Sequence, residues 1–206
     1  MRRYLPVYLL LSSIALFSCR SVYKGLIPVE RNADAIMQFK PRFSSELYKA
    51  SVDVVGNHLS GILLIKQMPD SSMRLVFSNE MGLKFLDFEY NANGFNLHYI
   101  MPKMNKKAVI TTLQKDLELI LFQLDASTGS VYSGDGLLYF RYKQPKGYNY
   151  YITDQSVTRL VRIERSSTRK PVAEVIMLNY KDGVPDSIGI THKNFNFTIG
   201  LKRIER

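Results

Sequence analysis

The chain has 206 residues, enough for one domain with a sizeable core. It carries a formal charge of +10, with 13 Tyr, 11 Phe, no Trp and a single Cys, which excludes an internal disulfide. The positive balance suits an anionic partner, but no zinc-finger spacing, helix-turn-helix pattern or RNP-type strand accompanies it, so nucleic acid is not expected.

At the N-terminus Arg2-Arg3 precede a short apolar run, Tyr4 to Phe17, too brief for a comfortable membrane span and suited to an export signal. The run ends Leu16-Phe17-Ser18-Cys19. That ending resembles a bacterial lipobox, in which a small residue precedes a Cys that is lipidated and becomes the first residue of the mature chain. Phe17 departs from the pattern, which prefers a smaller side chain there. The bland alternative is an ordinary signal peptide with a chance Cys. The resemblance implies a signal peptide over residues 1–18 and a lipid on Cys19. With Arg20-Ser21 following instead of Asp or an acidic run, it implies an outer-membrane anchor facing the periplasm. Residues 1–18 hold Arg2, Arg3 and no acid, so their removal leaves +8. Residues 19–29 read as the lipidated tether and 30–206 as the folded domain.

Glu30 to Lys40 predicts a brief helix, with Ala33, Ile36 and Met37 on one side and Pro41 as its stop; a coil over a barrel mouth is the alternative. Strands are predicted at Leu47 to Val55 and Leu59 to Lys66. Met73 to Ile100 then reads as a three-stranded meander, with turns at Asn79-Glu80-Met81-Gly82 and Asn91-Ala92-Asn93-Gly94. Both faces of its middle strand look apolar, Leu83 and Phe85 on one and Leu86, Phe88 and Tyr90 on the other. Such a sheet needs cover on both sides, and a bare Met81 at a turn tip suggests a membrane or a partner. Lys106 to Leu124 predicts an amphipathic helix, with Val109, Ile110, Leu113, Leu117, Ile120, Leu121 and Leu124 on one stripe and Asn105 as its cap. Ser127 to Gly136 reads as a Gly/Ser-rich loop. Six further strands are predicted between Leu137 and Ile204.

About eleven antiparallel strands with one or two helices cannot lie flat. The expected fold is mainly β: a single, strongly curved, unclosed antiparallel barrel whose helices cover the concave face. This layout resembles the LolA/LolB group of periplasmic lipoprotein carriers, and within it LolB. The local match is Arg74-Leu75-Val76-Phe77-Ser78, then Asn79-Glu80-Met81-Gly82, then Leu83 to Tyr90 and Asn93-Gly94, with Ser60-Gly61 opening the strand before. Glu80 stands where that turn usually has Pro, and Met81 where it has Leu. The resemblance implies that Asn79, Glu80, Met81 and Gly82 form a membrane-insertion loop. It also implies a LolA-like donor, the inner leaflet of the outer membrane as acceptor surface, and acyl chains of lipoproteins as cargo.

Leu75, Phe77, Phe85, Leu113, Leu117, Phe140, Ile152 and Ile199 are the candidate lining of an apolar acyl cavity; a filled core would use the same residues. Neither a metal nor a cofactor is expected: His58, His98 and His192 are scattered, and no nucleophile elbow or phosphate loop occurs. Asp87 and Glu89 share a strand face at a spacing that paired-carboxylate chemistry could use, but a solvated face explains them. Tyr139, Tyr142, Tyr148, Tyr150 and Tyr151 would stack on a sugar or simply occupy two facing strands. Arg159, Arg162, Arg165, Arg169 and Lys170 read as a basic rim that could meet lipid headgroups. Asp186-Ser187-Ile188 resembles an O-glycosylation sequon. The chain is thus expected to be a monomeric, non-enzymatic carrier. A structural envelope lipoprotein with a filled core and a carrier of another lipid are the alternatives.

Overall fold

A computed structural model describes residues 21–205 apart from Val55, so the expected export segment and the expected lipidation site Cys19 lie outside the described residues. Thirteen strands form one antiparallel sheet: β1 Ile27–Pro28, β2 Ser45–Val54, β3 Asn57–Gln67, β4 Met73–Ser78, β5 Lys84–Asn91, β6 Gly94–Ile100, β7 Ser130–Gly134, β8 Leu137–Gln144, β9 Gly147–Asp154, β10 Leu160–Ser166, β11 Pro171–Lys181, β12 Val184–His192 and β13 Phe197–Arg203. Their order is β1-β7-β8-β9-β10-β11-β12-β13-β2-β3-β4-β5-β6. β1 and β6 end the sheet without pairing to each other, so the curved sheet is an open half-barrel. Among the described residues one α-helix, α1 Lys107–Ile120, covers the concave face together with a 3₁₀ helix, Ala33–Phe39.

Period-two patterning explains which side chains face α1. Phe140, Tyr151, Ile163, Val175, Ile190, Ile199 and Val52 stand opposite one another across successive strands. All are buried in the main core, as are Leu113 and Leu117 of α1 and Ile36 of the 3₁₀ helix. Each such large side chain contributes about 1.5–3 kcal/mol on burial. Lys106 stands at the cap position of α1 and makes no side-chain cap, so the expected cap at Asn105 is not used, and Lys106-Lys107 oppose the helix dipole. Its apolar stripe, not its end, holds it.

Two strands were not legible. β7 falls inside the predicted Gly/Ser-rich loop, and β1 falls inside the tether and pairs with it, Ile27 opposite Ser133. The chain before β1 lies flat on the convex face of β7 to β10. Tyr23 stacks on Tyr150, centroids 4.2 Å apart, and its hydroxyl donates to Glu164 Oε2 at 2.6 Å. Leu26 sits over Gly134, where a Cβ would come within 2.6 Å of the Leu26 side chain. Burial, then the Glu164 carboxylate, push the Tyr23 hydroxyl pKa well above its ordinary value. Tyr23→Ala should detach this segment at a cost of about 2 kcal/mol, the sum of a ring stack and a bond to a charged acceptor. Hydrogen exchange at the Val22 amide, which donates to Arg169 O at 3.0 Å, would report it; unchanged protection would show that the stack is not what holds the tether.

Because neighbouring strands are all antiparallel, their hairpins alternate between two rims. The β2–β3, β4–β5, β8–β9, β10–β11 and β12–β13 turns share one, the near rim. The β3–β4, β5–β6, β7–β8, β9–β10 and β11–β12 turns share the other, the far rim.

Candidate functional site

The β4–β5 turn is built by Asn79. Its side-chain Oδ1 accepts from the Met81 amide at 3.0 Å and the Leu83 amide at 2.8 Å, while its carbonyl accepts from Gly82 N at 3.0 Å. Gly82 takes φ +83°, a left-handed conformation that favours glycine. The result is a rigid tip on which Met81 is 93% exposed, with Leu83 also in solvent and Glu80 beside them. Leu83 therefore needs no covering sheet. Phe85 does not share its environment: a bulge at Phe77/Ser78 turns Phe85 into the core, 4.9 Å from the Phe77 ring, next to Leu86 on the same side.

Gly61 fixes how that hairpin leaves the sheet. A Cβ at Gly61 would lie 2.1 Å from Ser78 O and 2.9 Å from Asn79 Cα, so the chain entering the tip crosses directly over this residue.

The eight candidate cavity residues are all buried, between 0 and 8% exposed. Leu75, Phe77, Phe85, Leu113, Leu117, Phe140 and Ile199 belong to one continuous core under α1. Ile152 does not join them. It sits on the opposite, convex face, in the small cluster with Tyr139 and Tyr150 that Tyr23 and Leu26 cover. Two larger clefts lie elsewhere. One, about 610 Å³, opens at the far rim between Arg42, Phe43, Met73, Tyr90 and Leu121. The other, about 820 Å³, is a shallow furrow on the convex face, floored by Ser51, Ser60, Gly189 and Gly200 and walled by Ile176 and Leu178. None of the eight lines either one. Seven of the eight pack against one another in that core, and Ile152 packs outside it.

A polar cluster interrupts that core. Asp116 of α1 is fully buried, with Oδ1 3.0 Å from Arg165 Nη1 of β10 and Oδ2 2.9 Å from His192 Nε2 of β12. Both of its oxygens are thus satisfied by the sheet. The His192 ring packs on Phe195 and Phe197. Asn149, beside Arg165 on β9, has a buried Oδ1 with no partner. Arg165 and His192 were read as a rim position and a scattered histidine, and Asp116 and Asn149 were missed. The available signal was Asp116 on the buried stripe of α1, one turn from Leu113 and Ile120.

Other sequence candidates separate. Asp87 accepts from Arg74 and Lys84; Glu89 accepts from Arg74, His98 and Asn91. Burial alone would raise the Asp87 pKa, but bonds from Arg74 and Lys84 outweigh it and hold it below the ordinary carboxylate range. Among the described residues no group of His, Cys, Asp or Glu has the geometry to hold a metal. Tyr142 and Tyr151 face the core, whereas Tyr139, Tyr148 and Tyr150 face the tether, so the five form no single stacking platform. The basic run splits likewise. Arg162 pairs with Glu164 outside, Arg165 with Asp116 inside, and Arg169-Lys170 occupy the exposed β10–β11 turn. Ser187 lies within β12, its neighbour Asp186 paired with Lys202.

No known protein family matches the chain, and no curated protein does. Among solved structures it is similar to a DUF1329 family protein from Desulfovibrio piger, at 10% identity and TM-score 0.48, over 87% of this chain and 92% of that one. It is also similar to a domain from Vibrio parahaemolyticus provisionally described as an outer membrane lipoprotein-sorting protein, at 10% identity and TM-score 0.46, over 85% and 91%. Likenesses this distant carry no argument about family or activity.

Proposed function

We propose that this is a lipid-anchored outer-membrane protein, facing the periplasm, that receives acylated lipoproteins and passes them into the membrane. The Met81 tip carries the reading. A thioether side chain held out in water by a purpose-built Asn79 scaffold has no role inside its own domain. Its transfer into a bilayer would gain about 1.5–3 kcal/mol. Acyl chains, worth about 0.8 kcal/mol per methylene when shielded from water, would enter under α1 as it shifts off the concave face. The LolA-like donor and the inner leaflet of the outer membrane are the partners this reading requires.

Met81→Glu places a charge where the tip would enter lipid. Lipoproteins should then accumulate in the periplasmic fraction, with the variant itself correctly anchored and folded. Normal sorting in that strain would sink the reading. A second reading has its own observation: seven of the eight candidate cavity residues pack together in one buried core, which fits a structural or interaction lipoprotein that holds no lipid cargo. Loss of one envelope complex on deletion, with sorting intact, would favour it.

A further inference from the structure

We propose that the near rim is a docking surface for an anionic phospholipid bilayer, so that the molecule stands on the membrane through this rim with the far rim turned away. The inference rests on the membrane-anchored part of the proposed function but not on lipoprotein transfer. Three independent features converge on one rim. The first is the exposed Met81 tip on the β4–β5 turn. The second is the start of the described chain. Val22, three positions after the proposed anchor Cys19, bonds to Arg169 O in the β10–β11 turn, so the first described residues lie at this rim.

The third is charge. The near rim carries Lys146, Lys170 and Lys193 on three of its hairpins. Lys103, Lys106 and Lys107 follow from the end of β6, whose last residues pair near the β4–β5 turn. All six are exposed. Against them stand Asp53, Glu80, Asp125 and Glu174; Asp53 is engaged with His58 at 2.7 Å and Glu174 with Lys193 at 3.4 Å. The far rim is mixed, with Asp70, Asp135, Asp154 and Asp182 on four of its five hairpins. A hydrophobic tip within a field of lysines meets a bilayer as amphipathic surface segments do. The apolar group enters the headgroup boundary while ammonium groups meet phosphate oxygens. A protein partner would not need the first described residues to lie at the same rim as the Met81 tip.

The test uses the mature lipidated protein in vesicles, where acylation of Cys19 leaves any introduced thiol as the sole one to label. A fluorophore is placed at Asn194→Cys on the near rim, or at Asp182→Cys on the far rim, with a headgroup-linked quencher in the membrane. With phosphatidylglycerol present, the Asn194 probe should be quenched and the Asp182 probe should not. Raising salt from about 0.05 to about 0.5 M should release it. Each Lys→Gln change among Lys103, Lys106, Lys107 and Lys146 should lower the docked-to-free ratio about fivefold. Equal quenching at both rims, or quenching indifferent to salt and phosphatidylglycerol, would overturn the proposal. Docking that persists while lipoprotein sorting proves normal in Met81→Glu would leave this inference standing and remove the transfer reading.

Discussion

Replacing Asp116 with alanine is expected to cost about 3–5 kcal/mol of folding stability, the largest loss from any single side chain in the interior polar cluster. The carboxylate is fully buried and accepts from both Arg165 and His192. Without it, a guanidinium and an imidazole are left facing apolar surroundings. Truncating one member of a buried ionic group costs more than the group contributes, because the remaining charge stays desolvated. The denaturant midpoint should fall sharply with little change in slope. A triple variant, Asp116→Leu with Arg165→Met and His192→Phe, should recover most of the loss. If Asp116→Ala proves neutral, the contacts of Asp116 do not anchor α1. The position also bears on the proposed carrier reading. α1 must loosen if acyl chains are to enter, and Asp116 is where a charged side chain of α1 is fastened to β10 and β12.

Gly61→Ala should be the second severe change. The new methyl would sit 2.1 Å from Ser78 O, a distance that requires backbone to move, and Ser78 is the last residue of β4 before the Met81 tip. Overpacking of this kind costs about 1–3 kcal/mol, and the rigid backbone neighbour puts it at the upper end. The displaced β4–β5 turn should become the first site of limited proteolysis. Wild-type stability and cleavage pattern in Gly61→Ala would mean that the hairpin is free to relax, and the tip would then not be a rigid probe.

The half-barrel was legible because alternation survives wherever only one sheet face is buried, as at β13, where Phe197, Ile199 and Leu201 are buried and Gly200 and Lys202 are exposed. It failed where a second layer covers the outer face. β9 reads Tyr-Tyr-Ile because Tyr151 meets the core while Tyr150 and Ile152 lie beneath the tether, so period two could not say which set was inward. That is why Ile152 was assigned to the wrong face. β7 was hidden by composition, its Gly134 kept small to admit Leu26. Phe85 depended on a bulge that shifts the register by one residue, and no local pattern announces it. The helix of residues 107–120 was read from its stripe, but its buried Asp116 looked like an ordinary polar position until β10 and β12 supplied its partners. Met81 was found because an apolar residue at a hairpin tip has nothing local to explain it.

The tether's adhesion to the convex face sets a limit on headroom. With Tyr23 seated on Tyr150, the span from Ser21 back to Cys19 covers at most roughly 7 Å even when fully extended. If Cys19 carries the proposed lipid, a domain on so short a leash cannot lift away to let a bulky visitor pass beneath it. Under the proposed transfer reading, its donor would then arrive from the flank or from above, and releasing Tyr23 would be the way to lengthen the leash.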